Sequence, residues 1–279
     1  MYKIPEPASK KTYVQAGFHT IDWIGYADDL ILFFKSRKSM QKGLEVLNHT
    51  FKRFSLQINP SKTKSMIFNF DNRETEYPGS LVSIEGKNIE NTKKYLYLGS
   101  EIKYDEHGTG DAEVGLRIDS AECKFYQHAK KLFNRRILLK TRTGILNALV
   151  RSRLTYGCQT WALTEQQMQR INTCYVGMLR KITRNGYRRE EGTQRFILSN
   201  NDLVSLCGTQ DLKSFVARQQ KKYLAHIIRF DDERIAKRLL FNNNPQHRPG
   251  RKITLMKRVL QNEGYTEEEL CAGATQRLF

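Results

Sequence analysis

Two kinds of hydrophobic spacing divide the chain. Up to about residue 107, apolar residues come in short runs separated by turn signals, the spacing of strands. Beyond it they recur at intervals of three and four, the spacing of helix faces. The strand-like part opens with Ile21 to Tyr26, which alternates imperfectly. Leu30 to Phe34 follows as a continuous apolar run, which predicts a strand buried on both faces. Ala27, Asp28 and Asp29 lie between, so the pattern predicts a hairpin over His19 to Phe34 with two acids at its turn. Ser39 then offers an N-cap to a helix on Met40, Leu44, Leu47, Phe51 and Phe54, whose apolar stripe packs on the sheet. Leu56 to Ile58 alternates into the turn Asn59-Pro60-Ser61-Lys62-Thr63, and Ser65 to Phe70 has a strand pattern. From Asp71 to Asn91 the chain is polar, with turn signals at Pro78-Gly79 and Glu85-Gly86 that predict a small hairpin. Tyr95 to Ile102 gives a strand, a glycine and a second strand.

Strand signals largely stop near Gly108. Asp111 to Asn134 carries Val114, Ile118, Ala121, Phe125 and Leu132 at near-helical spacing, and Thr143 to Leu154 predicts a second helix. Glu165 to Thr183 predicts a third, on Met168, Ile171, Tyr175, Met178 and Ile182. Asp211 to Arg229 predicts another, and Thr266 with Glu269 forms a capping box that starts the last. The expected architecture is α+β: an extended lead-in over 1–17, antiparallel strands with packed helices over 18–107, and an all-helical region over 108–279.

Charge narrows the choice of partner. Among 279 residues, 47 Lys and Arg face 29 Asp and Glu, a net charge of +18 that suits a polyanion such as nucleic acid or an acidic membrane surface. Sixteen of the basic residues and only three acids lie between Gly115 and Arg189. Charge runs are usually solvated helix faces, but those mix signs, and this one is nearly single-signed, as a duplex-binding surface would be. Lys124, Lys130, Lys131, Arg135, Arg136, Arg180 and Lys181 are its candidate nucleic-acid contacts, and Arg251 and Lys252 add a basic loop further on. No apolar stretch approaches bilayer length and the start lacks a signal-peptide core, so the expectation is an intracellular protein, nuclear or cytoplasmic, with no membrane contact. The five cysteines are widely spaced without a Cys-x-x-Cys pair, which suggests neither a disulfide framework nor a zinc site. Gly108-Thr109-Gly110 lacks the spacing of a phosphate loop.

The candidate chemistry sits at Asp28 and Asp29. Two carboxylates held together repel in a low dielectric and call for cations, and Mg²⁺ prefers one or two carboxylates with waters and substrate phosphates. The same pair also suits an ordinary turn, where acids favour the loop. Lys62 on its turn is placed either to approach a phosphate or simply to be solvated. Tyr97-Leu98-Gly99 reads equally as a strand turn with an aromatic core.

The order Tyr26-Ala27-Asp28-Asp29, then Asn59-Pro60-Ser61-Lys62-Thr63, then Tyr97-Leu98-Gly99 resembles a reverse transcriptase of the non-LTR, LINE-like retrotransposon type. The run Leu154 to Leu163 and the segment Met178-Leu179-Arg180-Lys181-Ile182 resemble the helical region after the palm in those elements. The resemblance implies a partial reverse-transcriptase palm followed by a thumb-like region in a transposon-derived RNA-directed DNA polymerase. It implies Asp28 and Asp29 as catalytic ligands of Mg²⁺ or Mn²⁺, and Lys62 as the lysine that assists the leaving pyrophosphate. Tyr97, Leu98 and Gly99 would grip the primer. RNA template, DNA primer and deoxynucleoside triphosphates are the implied partners. The family's further palm aspartate, fingers and Cys/His knuckle have no counterpart here, so the expectation is a fragment without autonomous polymerase activity. The alternative is a non-catalytic nucleic-acid-binding protein that uses the basic helical region.

Overall fold

A computed structural model describes residues 14–16, 19–68, 79–103, 110–190, 193–196, 198–241, 259–260, 264 and 266–276. The architecture is α+β, and the chain divides into two compact units, one built mainly on the residues up to Glu106 and one mainly on those from His107. Among the described residues no helix is long and apolar enough to cross a membrane.

The first unit is a set of small sheets with one long helix. Strands β1 (Val14–Ala16) and β2 (His19–Ile21) pair antiparallel, as do β3 (Trp23–Tyr26) and β4 (Asp29–Leu32). Helix α1 spans Arg37–Arg53. A three-stranded sheet then has β7 (Lys87–Asn91) in its centre, antiparallel to β6 (Ser80–Ile84) and parallel to the short β5 (Lys64–Ser65). A last hairpin joins β8 (Lys94–Tyr97) to β9 (Ser100–Lys103). The parallel β5–β7 pair departs from the all-antiparallel expectation.

Two-residue loops close three of these hairpins. Glu85-Gly86 has φ of 52° and 76°, and Leu98-Gly99 has 48° and 80°. Two positive φ values in succession match the twist of the flanking strands, and glycine takes the second position without strain. Ala27 at φ 53° starts the loop between β3 and β4.

Leu44 of α1 is buried with Val82, Ile84 and Ile89 of the three-stranded sheet, and Met40, Ile58 and Leu81 pack beside them. Polar side chains along α1 cover the free edge of β6. The Gln41 side-chain amide accepts from the Ser83 backbone N–H (2.9 Å) and donates to its carbonyl (3.0 Å), as a neighbouring strand would. Arg37 donates to the Leu81 carbonyl (2.5 Å), while Asn48 and Lys52 bond Glu85 in the turn. An edge occupied in this way is closed to another strand.

Two expectations for this unit are corrected. The N-cap of α1 is Ser36; Ser39 is its partner in a reciprocal capping box, so the helix starts at Arg37 and Phe54 falls beyond its end, exposed. The β3–β4 hairpin is not buried on both faces: Trp23 is 53 % and Tyr26 65 % exposed, Leu30 is exposed, and Ile31 to Phe34 are half-buried. Burial on both faces needs a packed layer above and below the strand, and among the described residues this hairpin has no fully buried side chain.

The second unit is mostly helical, in the order α2 (Asp111–Gln127), α3 (Ala129–Leu132), α4 (Leu139–Leu146), a π-helical turn (Asn147–Arg151), α5 (Ser152–Leu154), a 3-10 turn (Cys158–Thr160) and α6 (Glu165–Thr183). A hairpin of β10 (Tyr187–Glu190) and β11 (Thr193–Phe196) follows, then α7 (Asn200–Leu206), α8 (Leu212–Ile228), α9 (Ile235–Phe241) and α10 (Glu267–Thr275). The hairpin departs from the all-helical expectation, and the predicted first helix is broken at His128. The ends of α6 agree with the sequence pattern: the Thr164 side chain caps it, and Gln167 reciprocates. Phe125, Leu132, Leu146, Ile171, Tyr175 and Leu179 are fully buried in one core, each contributing about 1.5–3 kcal/mol by leaving water.

Candidate metal hairpin and nucleic-acid interface

Asp28 occupies the second loop position at the tip of the β3–β4 hairpin. Asp29 is the first residue of β4 and pairs with Tyr26. Both carboxylates are exposed. Cross-strand partners share a face, so Asp29 lies on the side of Tyr26, with Ile24 and Ile31 further along. On the opposite face the Trp23 ring lies over Gly25, where an added Cβ would come within 3.1 Å of the indole. Gly25 therefore gives Trp23 its place, a role that the run of apolar letters does not reveal.

Two adjacent hard oxygen donors fit Mg²⁺ or Mn²⁺, which completes its shell with water and phosphate oxygens. Among the described residues no group of three or more His, Cys, Asp and Glu is placed to hold a metal by itself. Asp22 is exposed, and its backbone carbonyl accepts from the Phe33 N–H (2.9 Å), continuing the pairing of β3 with β4.

Lys62 stands on a turn organised by Asn59. The Asn59 side-chain oxygen accepts from the Ser61 N–H (3.0 Å) and its carbonyl accepts from the Thr63 N–H (3.0 Å), leaving the Lys62 side chain exposed. Tyr97, Leu98 and Gly99 form the β8–β9 turn: Leu98 is exposed, Gly99 supplies the φ of 80° that the turn requires, and Tyr97 is half-buried. The Tyr97 hydroxyl is buried without a hydrogen-bond partner among the described residues. Asp28 with Asp29, Lys62, and Tyr97-Leu98-Gly99 thus occupy three separate turns of the first unit.

In the second unit, the ends of α3 and α6 and the loop after α3 are drawn together by the buried Arg142. It donates to the carbonyls of Ile182 (2.7 Å), Ile137 (3.1 Å) and Leu132 (3.3 Å). Around this junction Lys130, Lys131, Arg135, Arg136, Lys181 and Arg184 are exposed. From residue 123 to residue 164 the chain carries no acid. Cations at helix C-termini also offset the helix dipoles. Lys124, half-buried, bonds Gln127 (2.7 Å), and Lys181 donates to the Tyr126 hydroxyl (2.8 Å).

Arg180 is not one of these surface cations. Only 7 % exposed, it donates to the Leu198 carbonyl (3.1 Å) and the Asn200 side chain (2.7 Å), tying the end of α6 to the start of α7. Its place on the inner face of α6 removes it from solvent, whereas Lys181, the next residue, points outward. Arg251 and Lys252 lie outside the described residues. A groove of about 570 Å³ runs beside α6, lined by Gln169, Thr173, Gly177, Lys181 and Arg184 among others. The sequence reading did not anticipate it, although Gly177 at the helix centre was a signal for it.

Residues 1–102 match a protein-family model described as reverse transcriptase (RNA-dependent DNA polymerase). The match takes in Asp28, Asp29, Lys62 and Tyr97-Leu98-Gly99. No curated protein and no solved structure shows significant similarity to the chain.

Proposed function

We propose that the chain is part of a transposon-derived reverse transcriptase of the non-LTR type, with the first unit as the later part of the palm and the second as a thumb-like nucleic-acid interface. The observation that carries the proposal is the pair Asp28-Asp29 at the tip of a hairpin inside the region that matches the reverse-transcriptase family. In this reading Asp28 and Asp29 would hold Mg²⁺ or Mn²⁺, which when bound offsets charge on the transferring phosphoryl group. Lys62 places an ammonium near the departing pyrophosphate and stabilises the charge that develops there. Gly99 keeps the β8–β9 turn slim, so that a primer strand can approach its backbone. The exposed cations of the second unit neutralise phosphates of an RNA/DNA duplex.

A two-metal site needs a further carboxylate, and none lies with Asp28 and Asp29 among the described residues. The proposal therefore expects duplex binding without primer extension from this chain by itself. Binding of the purified chain to a primer–template RNA/DNA duplex across a salt series, with Mg²⁺ and deoxynucleoside triphosphates in the same tubes, tests it. Steeply salt-dependent binding without extension is the expected result. Extension lost on Asp28→Asn with Asp29→Asn would mean that the site is completed by other residues, and absence of binding would overturn the proposal. The second reading, a non-catalytic nucleic-acid-binding protein, draws on the basic junction of the second unit alone; it predicts binding that those two substitutions leave unchanged and that Mg²⁺ only weakens, as a competing counterion.

A further inference from the structure

Beyond the duplex interface, we propose that the junction formed by Tyr126, Phe133 and Lys181 is a binding site for unpaired nucleotides of a single-stranded nucleic acid. The inference rests on the nucleic-acid reading of the second unit and specifies what part of that surface takes.

Between Tyr126 and Leu138, three exposed apolar side chains, Tyr126, Phe133 and Leu138, are interleaved with four exposed cations, Lys130, Lys131, Arg135 and Arg136, and with no acid. A plain solvated helix end would carry the cations without the rings. Tyr126 is 56 % exposed yet held in place. Its ring meets the buried Phe125 edge to face at 5.4 Å, and Phe133 meets Phe125 in the same manner at 5.6 Å. The Lys181 ammonium, 5.1 Å from the centre of the Tyr126 ring, fixes its hydroxyl. A ring already ordered loses little entropy when a base stacks on it.

Exposed rings set among cations, with Glu122 one helical turn before Tyr126 as the bordering acid, combine the two terms that hold single strands: base stacking and phosphate neutralisation. A duplex already stacks its bases on each other and offers such a ring only sugar and phosphate edges. An unpaired base presents a free π-face.

The groove beside α6 extends the site, because Lys181 belongs to both. Gln169 and Thr173 supply side-chain hydrogen-bonding groups, Arg184 adds charge, and nothing lies within 4 Å of where a Cβ on Gly177 would sit. A strand stacked on Tyr126 can therefore continue along α6 with its backbone close to the helix.

The test is fluorescence anisotropy of the full chain with a labelled oligothymidylate and, at the same salt, a DNA duplex of equal length. Tyr126→Ala should weaken oligothymidylate binding roughly five- to hundredfold, the range of one lost base stack, and leave duplex binding within about twofold. Tyr126→Phe, which keeps the ring and loses the Lys181 bond, should hold most of the affinity, and this outcome guards against a variant that merely misfolds. Tyr126→Trp should bind oligothymidylate with quenching of the new indole emission. Equal weakening of duplex and single strand overturns the proposal, as does no effect of Tyr126→Ala on a chain that binds both. Competition by oligoglutamate as effective as by oligothymidylate would mean that the surface recognises charge alone and would overturn it too. A chain that binds neither nucleic acid refutes the wider reading along with this one.

Discussion

Replacing Arg142 tests whether the basic junction is held together from inside. Its buried guanidinium gives three hydrogen bonds to backbone carbonyls of two helices and a loop, and those carbonyls lose their shared donor in Arg142→Ala. Charged donors give about 1.5–3 kcal/mol per bond, but desolvation of the buried guanidinium offsets part of this, so about 1–1.5 kcal/mol each is reasonable. The expected loss is then about 3–4.5 kcal/mol, a large fraction of the stability of a domain this size. Trp161, buried in the second unit, reports its unfolding, and Trp23→Phe removes the other tryptophan, which is exposed in the first unit. Urea titration of this background with and without Arg142→Ala gives the difference directly. Arg142→Lys keeps the charge but not the planar fork, so it should restore less than half of the loss. A loss below about 1 kcal/mol, or full rescue by lysine, would refute the assignment, because neither is compatible with three good bonds to a buried guanidinium.

Other expectations follow from particular contacts. Gln41→Ala should cost about 1–2 kcal/mol by urea titration and cause concentration-dependent association in gel filtration, since Ser83 then offers an open strand edge. Unchanged stability and a monomeric profile would show that α1 does not guard β6. Lys52 and then Asn48 hold the Glu85 carboxyl below the usual glutamate range, so this contact stabilises the fold above that range and loses its effect as pH falls through the lowered value. Lys52→Met should therefore reduce the acid-side fall in the urea midpoint, and an unchanged pH profile would count against the contact. Burial pushes the Cys158 and Cys174 thiols up to about 11, so both stay protonated at neutral pH, while Cys123 is exposed. Brief iodoacetamide treatment followed by peptide mass spectrometry should label Cys123 and spare Cys158; equal labelling of the two would contradict the burial.

What could be read from the chain beforehand was what spacing alone determines. The steps of three and four from Met168 to Ile182 placed α6, because a long amphipathic helix repeats its signal many times. Glu85-Gly86 and the glycine of Tyr97-Leu98-Gly99 marked turns because the backbone there needs φ values that glycine tolerates. Ser36 was missed as the cap of α1 because two serines three apart both qualify, and only the reciprocal bond tells them apart. The hairpin of β10 and β11 was missed because Tyr187-Arg188-Arg189-Glu190 carries no alternation of apolar residues. Gln41 bridging an edge strand was invisible for a different reason: the partner is a backbone group 42 residues away, and no local pattern encodes it. At the candidate site, Asp28 lies on the predicted turn and Asp29 directly after it, as the first residue of β4. The exposure of their hairpin was not foreseen, since apolar letters do not say whether a layer packs on each face of the strands.

The charge count between Gly115 and Arg189 therefore needs to be divided by location. Among those whose side chains are described, Arg117, Arg142 and Arg180 face inward. Arg117 is buried against Glu113 and lies 4.8 Å over the ring of Tyr156; Arg142 and Arg180 hold backbone carbonyls. A buried cation with its partners satisfied contributes less to the outside field than to the geometry of what surrounds it. The net charge of the stretch thus overstates the surface field of the unit as a whole, while the junction itself is more uniformly cationic than the average implies. Arginine does both jobs here because its planar fork can bind several carbonyls at once, which a lysine ammonium cannot do in the same geometry. Arg142 and Arg180 bring helix ends together, and the outer lysines and arginines stand on those ends. The sign and the shape of the surface consequently depend on different residues of the same type, and a substitution at Arg142 should alter the shape of the junction, while one at Lys131 or Arg136 should alter only its charge.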